Sequence, residues 1–157
     1  MRRSIIAKAA FVVALSVGST SASDRMDETV RSDRTVHLVN QERASRGLPA
    51  LRHSPRLDAA ARSHVDWMTR TGRVSHTGKR GTRVQNRARE MGYEPCYAGE
   101  TIAYGPPTQE IVVRAWMNSP SHKRVIVSRK AGEIGVAAAR DAKGHPYWVM
   151  VTGRRCG

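Results

Sequence analysis

A chain of 157 residues with 27 Lys and Arg against 13 Asp and Glu carries a formal charge of +14. That length suits one domain with a real core, and the charge predicts an anion-seeking surface. No stretch beyond the N-terminus is apolar enough to cross a bilayer, so the mature chain is expected to be free of transmembrane segments.

Residues 1–23 form the pattern of a cleaved leader. Arg2 and Arg3 give the positive start, Ala9–Val17 the apolar run, and Ser19–Ser23 a small-residue exit. Removing Arg2, Arg3 and Lys8 leaves 24 basic and 13 acidic residues, a mature charge of +11. The protein is therefore expected outside the cytoplasm, secreted to an extracellular or periplasmic space. Residues 24–34 are polar and predict a loose lead-in, and residues 35–157 a single domain. Basic residues are scattered along the chain, and a solvated basic face accounts for them.

From Val36 the spacing Val36, Val39, Asn40, Arg43 predicts a helix closed by Gly47. A longer helix opens at Ser54-Pro55 and ends at Gly72, with Leu57, Ala60, Ala61, His64, Trp67 and Met68 on one face. His64 on that stripe reads as a hydrogen-bonded core histidine. A polar loop, Val74–Gly81, carries His76. Thr82 and Gln85 make a capping-box signature for a helix through Met91, ended by Gly92. The run YAGETIAYG, Tyr97–Gly105, then reads as a buried strand containing one carboxylate, Glu100. Burying that charge requires a partner.

Beyond Pro106-Pro107, Thr108 caps a helix Gln109–Met117, and Ser119-Pro120 starts a short one carrying His122 in its first turn. Ile134–Ala139 and Tyr147–Thr152 read as two strands joined by a turn at Asp141–His145. Helices first and strands last favour an α+β domain: a three-layer α–β–α sandwich around a small, mainly antiparallel sheet. Two cysteines only, Cys96 and Cys156, predict a disulfide in an exported chain. The rival role, a nucleophilic Cys96, needs a free thiolate. Trp67, Trp116 and Trp148 all read as core.

No HExxH, paired CxxC, GxSxG or phosphate-binding glycine loop is present. What remains is dispersed: His76, Glu100 and His122. Two imidazoles and a carboxylate suffice for a zinc site with an open position if the fold brings them together. Spacing alone leaves their association open.

The segments HLVNQERASRGLPAL (His37–Leu51), SHTG (Ser75–Gly78), GETIAYG (Gly99–Gly105), AWMNSPSHKRVI (Ala115–Ile126) and GVAAA…YWVMVTG (Gly135–Gly153) resemble, in order, the CAP or SCP-like extracellular domain of short bacterial secreted proteins. The resemblance implies a sandwich fold, export and a cleft lined by histidines and acids. It aligns His76 and His122 with the two cleft histidines and Glu100 with the acid of the strand. Thr101, Ser121 and Val125 depart from the pattern, and Ser119 stands where a second cleft glutamate is expected, three residues after Trp116.

Three functions follow. The first is a monomeric binding module for an anionic or lipidic envelope component, without specific affinity for nucleic acid and with no required cofactor. The second is a hydrolase in which His76 and His122 hold zinc and Glu100 is general base. In the third, the His/Glu cluster is purely structural.

Overall fold

The computed structural model describes residues 22–156. The leader predicted over residues 1–23 therefore lies outside it but for its last two residues. Five α-helices and four strands follow in chain order: α1 (Ala22–Ala44), β1 (Arg52–His53), α2 (Pro55–Thr71), α3 (Val84–Glu90), β2 (Pro95–Tyr104), α4 (Gln109–Asn118), α5 (Pro120–Ile126), β3 (Glu133–Arg140) and β4 (Pro146–Arg155).

Residues 24–34, expected to be loose, belong to α1. No glycine or proline interrupts Ala22–Ala44, so nothing in the chain breaks the helix there. At its other end Gly47 adopts φ +65° and the Leu48 amide donates to the Arg43 carbonyl, a left-handed stop that glycine adopts at little cost. The motif around this helix is structural. Asn40 exchanges two hydrogen bonds with the Leu51 backbone. The fully buried Arg43 donates to the carbonyls of Pro49, Ile126 and Ser128, tying α1 to the end of α5.

The sheet has the order β1-β3-β4-β2. β4 pairs antiparallel with both β2 and β3, while the two-residue β1 runs parallel to β3. The sheet is thus mixed, with one short parallel edge too brief to register as a strand in the sequence. Period-two alternation assigns the faces. Trp148 and Met150 of β4, with Ile134 and Val136 of β3, pack against Val39 of α1, Val112 and Trp116 of α4 and Ile126 of α5. Tyr147, Val149 and Val151 point the other way, to Leu57, Ala61, Val65 and Met68 of α2 and Ala88 of α3. Helices therefore cover both faces, giving the three-layer α–β–α sandwich.

The α2 layer is pressed close to the sheet. A Cβ at Gly135 would lie 2.2 Å from the Asp58 amide nitrogen and from the Leu57 carbonyl carbon, so only glycine permits this crossing. The Asp58 carboxylate accepts from the Val136 amide at 2.8 Å and the His53 imidazole at 2.6 Å, stitching the start of α2 to β3. Cys96 and Cys156 form the disulfide, joining the start of β2 to the residue after β4 across a separation of 60 residues. Closing a loop of that length contributes about 4 kcal/mol on the chain-entropy model.

Candidate functional site

Glu100 lies opposite Val151 in the β2–β4 ladder, which turns its side chain toward the α2/α3 layer. There it is nearly inaccessible and meets three groups. Arg87 donates Nη2–H to Oε2 at 2.5 Å, and the His76 Nδ1 lies 2.8 Å from Oε1. His64 Nε2 stands 3.9 Å from Oε1 and is itself 2.8 Å from the Ser75 carbonyl, which fixes Nε2 as the donor. The carboxylate's principal partner is therefore a buried arginine that the sequence reading did not single out. Arg87 sits three residues after Val84 and beside Ala88, on the buried side of α3. An arginine at that core-facing spacing was the available signal.

Arg87 is held on several sides. Its Nη1 donates to the Thr82 carbonyl at 2.8 Å and its Nη2 also reaches the His76 carbonyl at 3.4 Å. These bonds fasten the turn before α3 and the His76 loop to β2. Gly78 completes the closure, since a Cβ there would lie 2.9 Å from His64 Nδ1. The box opening α3 is displaced by one residue from the expected Thr82/Gln85 pair. The Arg83 amide donates to Asn86 Oδ1 at 3.0 Å, because Thr82 instead turns its hydroxyl to the Lys79 carbonyl.

His122 does not join Glu100. Helix α5 packs on the opposite face of the sheet, through Ile126 and Val125, and Gly99 lets it approach β2, a Cβ there falling 3.0 Å from Val125 Cγ1. His122 is half-buried; burial and then the charge of His76 hold its imidazole below the ordinary histidine range. No hydrogen bond or ion pair joins His122 to Glu100 among the described residues. An open cleft of about 320 Å³ lies beside His76 and Glu100, walled by Arg83–Gln85 and Ala98–Gly99, with no contribution from His122. His76 is 48% exposed at its side chain and is the part of the cluster that solvent reaches.

Glu100 is not free to join a zinc site. Among the described residues no three His, Cys, Asp or Glu side chains are placed to hold a metal ion, and Glu100 is already neutralised by Arg87 and engaged by His76. Glu100 is therefore not the free base that the second expected arrangement requires.

The three tryptophans, expected in the core, fall as follows. Trp116 and Trp148 are core, at 1% and 2% exposure, each donating its indole N–H to a carbonyl, of Ile102 and of Pro106. Trp67 meets that expectation in part, packing against the α2 core cluster from its rim. It is half-buried and stacks on His64 with ring centroids 5.6 Å apart and planes 7° from parallel.

Fold, motif order and disulfide point to one class, the CAP domains. Residues 36–152 match the model of the cysteine-rich secretory protein family, CAP, and the chain belongs to that family. It is 30% identical over 118 residues, 75% of its length, to the uncharacterized protein YkwD of Bacillus subtilis. It is 26% identical to the membrane protein YlbC of the same organism over 113 residues, 72% of its length. The matches span only 46% and 33% of those two proteins. Among solved structures, an extracellular SCP-domain protein of Bacillus anthracis superposes with a TM-score of 0.78 at 19% identity, over 88% of this chain and 45% of that one. An outer surface protein of Borrelia burgdorferi gives 0.73 at 22%, over 79% and 92%.

Proposed function

We propose that this CAP domain is a secreted binding module for an anionic envelope or extracellular component, and that the Arg87–Glu100–His76 cluster serves structure. The observation that carries this reading is the state of Glu100. Its carboxylate is buried and bonded on both oxygens, so Glu100 itself is not a free general base, and both cysteines are consumed in the disulfide. The excess of basic residues supplies the attraction for an anion. Secretion is supported by the leader-like residues 1–23, by the disulfide, and by the fold's occurrence in an extracellular and an outer surface protein.

The test is retention of the purified mature protein on isolated polyanionic envelope glycans and on anionic vesicles, beside an uncharged glycan control. Binding that weakens steadily as salt rises is expected, since exposed charges are screened over about 8 Å at physiological ionic strength. Retention equal to the uncharged control at moderate salt overturns the reading.

A further inference from the structure

The fold gathers charge that looks scattered in the sequence. Residues 67–89 hold seven Lys and Arg and no Asp or Glu. They run from the second half of α2, through the His76 loop and the 3-10 turn Lys79–Gly81, into α3. Two adjoining concavities open there, of about 310 and 420 Å³, and share Trp67, Lys79 and Arg80 as common walls. Arg70 lines the first and Arg73 the second. Among the described residues none of these four cations has a carboxylate within ion-pair reach, so their charge is left to solvent or a ligand. Glu90 is the one acid on the rim.

Resting on the reading above, we propose that this double cleft is the docking site for an anionic saccharide, with Trp67 as platform for a sugar ring and Lys79 and Arg80 as its anion clamp. Three features choose that ligand class. The indole is held rigid by its stack on buried His64, so presenting it costs little side-chain entropy. Among the other walls, Ser63, Thr82, Ser75 and Thr77 offer hydroxyls and carbonyls in place of aliphatic side chains. That lining suits sugar hydroxyls and gives an acyl chain nothing to pack on. A single aromatic ring falls short of the successive stacking platforms that hold a nucleic-acid strand. Arg80 is also the one non-glycine residue with positive φ among the described residues, at +56°. The turn thus holds a bulky residue in a backbone region that costs energy, a placement characteristic of ligand clamps.

Trp67 also supplies the readout, because the other two tryptophans are buried. A sulfated tetrasaccharide prepared from heparin is titrated into the full mature protein while tryptophan emission and calorimetric heat are recorded. A saturable emission change is expected, absent in Trp67→Phe. Affinity should fall at least tenfold in the double variant Lys79→Glu/Arg80→Glu and in Trp67→Ala, and stay within twofold in the charge-matched Arg129→Glu/Lys130→Glu. Melting curves accompany each variant, and the exposed Lys79/Arg80 pair keeps the test valid if Trp67→Ala unfolds. Equal weakening in the two double variants overturns the site while leaving polyanion binding by the whole protein intact. Phosphatidylglycerol vesicles or a single-stranded oligonucleotide captured through Lys79 and Arg80, with no tetrasaccharide bound, overturns the saccharide assignment. No binding of any polyanion removes both the site and the function proposed above.

Discussion

Removing Glu100 leaves Arg87 buried and charged with only carbonyl partners, and removing Arg87 leaves Glu100 with His76 alone, changes that cost about 3–5 kcal/mol. Glu100→Gln should therefore lower the denaturant midpoint steeply, while the double variant Arg87→Met/Glu100→Leu recovers much of the loss. A Glu100→Gln protein with wild-type stability contradicts the structural role of the cluster. His64 gives a pH dependence. Burial, ahead of the opposing attraction of Glu100, lowers its imidazole from the ordinary value. Above pH about 6.5 both folded and unfolded forms are neutral and the group contributes nothing. Below it the unfolded chain takes up a proton that the folded one resists, so stability falls as pH drops. His122 acts in the same direction; Asp58, raised chiefly by burial, acts oppositely at more acidic pH. Urea unfolding at pH 7.5 and 5.5 should show the decline, shallower in His64→Gln, whose amide can still donate to the Ser75 carbonyl.

At the scale of elements, Gly135 sets how near α2 lies to the sheet. Gly135→Ala would force α2 off β3, because backbone atoms, which cannot rotate away, occupy the space. Overpacking of this kind costs about 1–3 kcal/mol and more where backbone must move. We expect loss of more than about 2 kcal/mol in chemical unfolding; a loss below about 1 would show that the crossing is compliant. The same elements show what the sequence could disclose. Glycines at 47 and 72, the cap Thr108 and the alternation in β4 mark helix ends and sheet faces locally, so those were legible. β1 was not, because two residues carry no periodicity and its pairing is set by β3, about 80 residues later. Glu100 was recognisable as a buried charge in need of a partner, and His76 as one candidate. Arg87 and the exclusion of His122 depend on which face of the sheet each helix covers, and spacing along the chain does not specify that.

For the whole molecule, the three layers put the buried Glu100 cluster and the exposed basic turn on the same side of the sheet. The sheet face under α2 and α3 buries Glu100 and locks the loop carrying His76, and that locked loop in turn presents Lys79 and Arg80 outward beside Trp67. Rigidity below and charge above share the same backbone. No helix among the described residues is long and apolar enough to cross a membrane.

The sheet order has a further meaning for how the domain is made. Its inner strand β4, to which both β2 and β3 are hydrogen-bonded, is the last of the domain to leave the ribosome. Until residue 155 exists, β2 and β3 have no common partner, and Cys96 has no Cys156 to join. The sheet therefore cannot be completed before β4 has been made, and the prediction is that the chain reaches its protease-resistant fold only then. Nascent chains stalled after His145 should be digested by protease as fast as denatured protein, with resistance arriving only once β4 is complete. Protection before that point would show that the helices fold without the sheet.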